Sequence, residues 1–316
     1  MSSSATATTP TVKLDGLKFS QSNHDVFLPQ GTTTAASSSS LPEALARTTH
    51  LGIGAHQDDL EFMALTGILE CFDSSSASSF GGVTCTDGAG SARGGTTTTT
   101  GQPQPYAHTT DDEMKPIRML EQRKAAMIGN YSCMVQLGHP SRHAKQADER
   151  QSLVDDLKQI LRAIPPGAII YSHNPFDKHA THVGVFLATL QAIRELPMNQ
   201  RPRQLIGCEV WRGLDWLSDT DKLVHDVSAR PNIATALNGV FDSQISGGKR
   251  YDVAVEGRRR ANATFLDSHA TDGNTTHVQY GVDLTDLVVN SQMTVPEFCR
   301  ALLQRFQQDV LDQLEK

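Results

Sequence analysis

The 316-residue chain predicts an α/β fold with a mostly parallel sheet and helices on both faces. Two observations point there. From residue 48 onward, short apolar runs alternate with longer helical runs. Two clusters of aspartate and histidine also fall where such runs give way to a helix, the position at which open α/β sheets bind ligands. Strands are expected over 51–55, 82–86, 134–137, 168–172 and 205–210, and helices over 60–71, 112–128, 149–163 and 179–194. Strands separated by helices of this length pair in parallel, each helix crossing over one face.

Residues 1–10 are rich in Ser and Thr and lack an apolar core, so they read as a disordered tail without a secretory signal. Residues 11–40 read as an extension packed on a single domain over 41–316. The Gly-, Thr- and Pro-rich stretch over 94–105 is expected to be a surface loop. A formal net charge of −7 disfavours nucleic acid and anionic membrane surfaces as partners. No apolar run is long enough to span a bilayer, so no integral membrane contact is expected. The five cysteines (Cys71, Cys85, Cys133, Cys208 and Cys299) are odd in number and form no C-x-x-C pair. They read as free thiols in a reducing compartment, which makes the cytoplasm the expected location. A homo-oligomer is compatible with the sequence.

The first cluster is Ala55-His56-Gln57-Asp58-Asp59-Leu60-Glu61. An imidazole and a carboxylate three residues apart can reach one ion from a single turn, and a second carboxylate beside them can face a water. A hydrolytic metal site needs ligands, an open position and a base. An acidic first helical turn also arises for dipole reasons alone. The second cluster, Tyr171-Ser172-His173-Asn174-Pro175-Phe176-Asp177-Lys178-His179-Ala180-Thr181-His182, weighs against that plainer reading. His179 and His182 share a helix face. A single histidine there would pass as a cap or surface residue, but two clusters at equivalent strand ends favour one shared site.

These residues resemble the PIG-L (LmbE-like) deacetylases. Residues 55–61 are similar to that family's A-H-P-D-D-x-E signature, and His179-Ala180-Thr181-His182 to its H-P-D-H. The segment from Thr86 to Arg93 is similar to the stretch after its second strand. Arg118-Met119-Leu120-Glu121 is similar to its R-x-x-E helix and Ser243-Gln244-Ile245 to its S-Q-I. The resemblance implies a Rossmann-like, doubly wound fold and one Zn²⁺ per chain. It also implies removal of an N-acetyl group from an N-acetylated sugar or glycoconjugate, usually an N-acetylglucosamine unit. By motif position, His56, Asp59 and His182 would be the metal ligands and Asp58 the general base. His179 would stabilise the oxyanion or protonate the amine, and Arg93 would contact the substrate. Two departures stand out. Gln57 replaces a proline, which is expected only to loosen the turn. Thr181 replaces an aspartate beside the third ligand, and Asp177 is the candidate substitute partner for His179 on the substrate side. Two other readings remain: a different metallohydrolase such as a phosphoesterase, and a metal-containing carbohydrate-binding protein without turnover.

Overall fold

The computed structural model describes residues 12–29, 40–73, 77–90, 93, 104–267 and 273–316. The tail expected over 1–10 and nearly all of the loop expected over 94–105 lie outside the described residues. Eight strands build one sheet: β1 (Asp25–Phe27), β2 (His50–Gly54), β3 (Phe80–Thr86), β4 (Cys133–His139), β5 (Ile169–His173), β6 (Gln204–Cys208), β7 (Lys222–Asp226) and β8 (Val278–Asp283). Their order is β1-β4-β3-β2-β5-β6-β8-β7. The five central strands, β4 to β6, pair in parallel, and the pairings of β1, β7 and β8 at the margins are antiparallel. Beginning at β2, the chain winds outward in one direction through β3 and β4. It then returns to the other side of β2 for β5 and β6. The ends of β2 and β5 therefore sit side by side at the point where the winding reverses, and a crevice opens there.

Twelve helices accompany the sheet among the described residues: α1 (Leu41–Ala46), α2 (Asp59–Met63), α3 (Leu65–Glu70), α4 (Asp111–Ile128), α5 (Arg142–Lys145), α6 (Gln151–Ala163), α7 (Ala180–Arg194), α8 (Pro231–Gly239), α9 (Asp242–Gln244), α10 (Tyr251–Phe265), α11 (Thr285–Val289) and α12 (Val295–Leu314). Strand residues alternate between two apolar cores, as the pleat requires. Leu51, Ile53, Val83, Cys85, Val135 and Ile170 face a core shared with α1, α6, α7 and α11. Phe80, Met134, Tyr171 and Ile206 face the opposite core with α2, α3, α4 and α8. Four cysteines are buried in these cores and Cys299 is half-buried; all five are free thiols. Among the described residues no helix is long and apolar enough to cross a membrane.

Three differences from the sequence expectation stand out. The helix expected over 60–71 breaks at Ala64 (φ −110°, ψ 23°) into α2 and α3. Arg259 donates to the carbonyls of Glu61 and Phe62, and Gln279 also donates to Phe62, so these acceptors are engaged outside the helix. The strand expected over 205–210 stops at Cys208, because the Glu209 carboxylate turns to accept the backbone N–H groups of Tyr280 and Leu214. Residues 25–27 of the expected extension pair with β4 and add a strand to the sheet.

Candidate metal centre

The turn after β2 carries the first cluster. Gly54 allows it to begin: a Cβ there would stand 3.0 Å from the Cβ of Asp59, so a larger residue would push α2 off the strand end. Asp58 caps α2 with φ 102° and ψ −27°, a conformation that costs a non-glycine residue ~1–3 kcal/mol. Two side chains from α4 hold it. Gln122 Oε1 accepts the Asp58 backbone N–H at 3.2 Å, and Arg118 donates to the carbonyls of Gln57 and Gly88. Gln57 is not a source of looseness. It is buried, donates to Thr86 O and to Gln136 Oε1, and so ties the turn to β3 and β4. Gly88, at φ +67°, is needed opposite, since a Cβ there would lie 2.2 Å from Gln57 Oε1.

The turn after β5 carries the second cluster and is held by its own polar side chains. Asn174 Oδ1 accepts the Phe176 N–H, and Asp177 Oδ1 accepts the His179 N–H, each at 2.8–2.9 Å. His179 then caps α7 in an extended conformation.

These two turns bring His56, Asp59 and His182 together. Asp59 Oδ2 lies 3.3 Å from His56 Nδ1, and its Oδ1 lies 3.4 Å from His182 Nε2. The two imidazole nitrogens are 3.3 Å apart. An ion with ~2.0–2.1 Å bonds in tetrahedral geometry needs donors about 3.3 Å apart, so the donor spacing fits Zn²⁺ or a similar divalent ion. His179 belongs to the same group, with ring nitrogens of His56, His179 and His182 within 4.8 Å of one another.

The protonation states of His56 and Asp59 suit ligation. Burial lowers the His56 pKa to about 4 against the pull of Asp59, leaving a neutral imidazole. Burial would raise the Asp59 pKa, but the surrounding histidines, His182 first, hold it well below the usual carboxylate range. Burial and the charge of His182 lower the His179 pKa. His182 is fully buried; burial would lower its pKa, but Asp59 and Asp177 raise it, with Nδ1 facing Asp177 Oδ2 at 3.3 Å and Nε2, the nitrogen that would ligate, facing Asp59. Asp58 lies beside this cluster at the cavity. Burial pushes its pKa up to about 8, opposed by the Arg118 guanidinium 3.7 Å away.

Asp177 was expected beside the His179 ring and the substrate. It instead lies behind His182, where Oδ2 also accepts the Trp211 N–H at 3.1 Å. Its position orients a candidate ligand and keeps it off the cavity wall. Arg93 pairs with Asp111 at 2.8 Å, and Asp111 rather than Arg93 lines the cavity. The arginine that faces the base is Arg118.

His173 is not a surface histidine. It is fully buried, stacks on His182 with ring centroids 4.0 Å apart, and lies 3.4 Å from Asp59 Oδ2. Its Nε2 accepts the Ala55 N–H, which places its proton on Nδ1 and joins the ends of β2 and β5. Glu61 points away from the centre and accepts from Tyr131 and Gln122. Glu121 accepts both the backbone N–H and the hydroxyl of Ser243, so the R-x-x-E helix and the S-Q-I segment meet.

The centre opens into a cavity of about 540 Å³, lined also by Asp87, Lys145, Trp211, Gln244, Lys249 and Tyr251. Trp211, Lys249 and Tyr251 carry no spacing signal in the sequence. Trp211 follows β6, Lys249 ends a π-helical segment after α9, and Tyr251 opens α10, so only the fold brings them to the site.

Residues 51–193 match the family model described as PIG-L: GlcNAc-PI de-N-acetylase. No curated protein sequence matches the chain. Among solved structures, the chain is similar to the conserved protein TT1542 from Thermus thermophilus, at 17% identity and a TM-score of 0.54, over 75% of this chain and 94% of that one. It is similar to N,N'-diacetylchitobiose deacetylase from Pyrococcus horikoshii, at 14% identity and a TM-score of 0.55, over 79% and 88%. It is equally similar to GalB, the 4-carboxy-2-hydroxymuconate hydratase from Pseudomonas putida, at 15% identity and a TM-score of 0.55, over 75% and 96%. A deacetylase and a hydratase thus share this fold, and likeness at these identities speaks for the fold alone. Both clusters of the candidate centre lie inside residues 51–193, the part of the chain that matches the PIG-L family model.

Proposed function

We propose that the protein is a zinc-dependent hydrolase that removes the N-acetyl group from an N-acetylglucosamine-type substrate, releasing acetate and a primary amine. The observation that carries this reading is the arrangement of His56, Asp59 and His182 at 3.3–3.4 Å donor spacing, with Asp58 beside them at the cavity. These three residues would hold the metal. Zinc bound there supplies Lewis acidity, polarising the amide carbonyl and lowering the pKa of water from ~15.7 towards ~7.

The chain's own groups do the rest. Asp58, ionised, accepts the proton of the attacking water, and Arg118 beside it favours the ionised form. His179, at the cavity, donates a hydrogen bond to the developing oxyanion, a role that contributes roughly 3–4 kcal/mol per donor. The proton taken up by Asp58, or one from His179, passes to the leaving nitrogen. Asp177 holds His182 in the ligating tautomer throughout.

The test is metal content by elemental analysis, together with acetate release from a panel of N-acetylated sugars and conjugates. About one metal per chain and acetate release from at least one sugar are expected. His56→Ala and His182→Ala are each expected to lose the metal; full occupancy in both would remove these residues from the site. Metal-dependent sugar binding without acetate from any substrate would favour the binding protein instead.

A further inference from the structure

We propose that Trp211 and Tyr251 form an aromatic corner that receives the face of the substrate's pyranose ring, a contact that an open-chain N-acetylated amine would not make. This rests on the deacetylase reading above and goes beyond it by assigning the ring a place.

The sheet order decides where such a ring can lie. The candidate metal ligands stand at the ends of β2 and β5, in the middle of the crevice. On the β3 side the cavity wall is polar, with Asp87 after β3 and Asp111 at the start of α4. On the β6 side it is aromatic: Trp211 follows β6 and Tyr251 opens α10. The two rings meet edge to face with centroids 4.5 Å apart and an interplanar angle of 73°. Both are partly exposed. A pyranose has one apolar C–H face and a hydroxyl rim. Its C–H hydrogens suit the electron-rich faces of aromatic rings, and its hydroxyls suit carboxylates. The cavity offers these two surfaces on opposite sides of the metal cluster.

The corner is held in register with the centre. Asp177 Oδ2 accepts the Trp211 backbone N–H and also faces His182 Nδ1, so one carboxylate positions both the aromatic wall and a metal ligand. The Trp211 ring lies nearly parallel to that of His182, 17° apart with centroids separated by 6.3 Å. Lys249 Nζ stands 5.6 Å from the Tyr251 ring centroid while donating to Gln244 Oε1, which holds the tyrosine from the other side of the turn. An open-chain amine would use none of this.

The chain has two tryptophans, which makes the corner directly observable. Trp216 packs between Phe176 and Phe306, away from the cavity, and its indole N–H has no partner among the described residues. Trp216→Phe therefore leaves Trp211 as the only indole emitter. Titrating this variant with N,N'-diacetylchitobiose is expected to change Trp211 emission saturably, whereas N-acetylethanolamine at the same concentrations leaves it unchanged. Trp211→Leu is expected to raise KM for the sugar about tenfold, what losing roughly 55 Å² of apolar contact costs, with kcat within about twofold. A sugar that is turned over without perturbing Trp211 emission, an equal response to the open-chain amide, or an unchanged sugar KM in a folded Trp211→Leu variant would each overturn the corner. Should Trp211→Leu fail to fold by circular dichroism, the Trp216→Phe titration decides alone. A saturable sugar response without acetate release would keep the corner and sink the deacetylase reading; acetate release with silent Trp211 emission would do the reverse.

Discussion

The two turns that build the centre solve the same problem in different ways. The turn after β2 is backbone-strained at Asp58, and α4, some sixty residues further along the chain, holds it through Arg118 and Gln122. The turn after β5 is unstrained and self-supporting, with Asn174 and Asp177 accepting N–H groups two residues on. The first presents the candidate base, whose protonation depends on a neighbour from another element. The second presents His182, whose ring is oriented by a carboxylate of the same turn, Asp177. Reactivity is thus tuned from a distance on one side and ligand geometry is set locally on the other, so substitutions on the two sides should have separable effects.

The largest effect that separates the two sides is expected at Asp58. Asp58→Asn keeps the shape and tolerates the left-handed backbone but cannot accept a proton. Acetate release should fall by ~10²–10⁴-fold with metal content near wild type. Loss of metal in Asp58→Asn, with retention in Asp59→Asn, would show that the two aspartates exchange roles.

On the other side, Asp177→Asn should act on the metal first. It removes the carboxylate from His182 Nδ1, and such second partners typically contribute ~10–100-fold in metal affinity. Metal titration by competition with a chelator would measure this, and excess zinc should recover much of the rate. An unchanged affinity would mean that His182 does not ligate through Nε2.

Arg118→Gln probes the distant support. Arg118 lowers the Asp58 pKa, so its removal should raise it. Because the base must be ionised, the acid limb of the kcat/KM profile should move to higher pH, and the rate at neutral pH should drop several-fold. Metal content should hold. An acid limb that stays in place would detach Arg118 from the base.

The smallest effect is expected from Thr181→Asp. Thr181 is fully buried in the first turn of α7, and its hydroxyl has no hydrogen-bond partner. A carboxylate at a helix N-terminus is tolerated. It would oppose the burial that lowers the His179 pKa, so the limb belonging to His179 should move to higher pH while the fold is kept. An unmoved profile across the histidine range would mean that His179 does not titrate in the rate-limiting step.

The sequence by itself determined the parallel core and where the candidate ligands sit. Apolar runs with helices between them leave few ways to pair, and the spacing of His56, Asp58 and Asp59 within one turn, and of His179 and His182 along one helix face, is local geometry. Tertiary structure decided what those residues face. Nothing local indicates that Asp177 turns towards His182 instead of His179, since the choice depends on the Trp211 N–H arriving from the end of β6. Nor does spacing show that Gln57 braces the turn, because its partners come from β3 and β4. The break at Ala64 is imposed by Arg259 and Gln279, some two hundred residues away. The cavity wall of Trp211, Lys249 and Tyr251 was illegible for the same reason. Periodicity reports which residues share one element, whereas a binding wall is made of residues that several elements bring together.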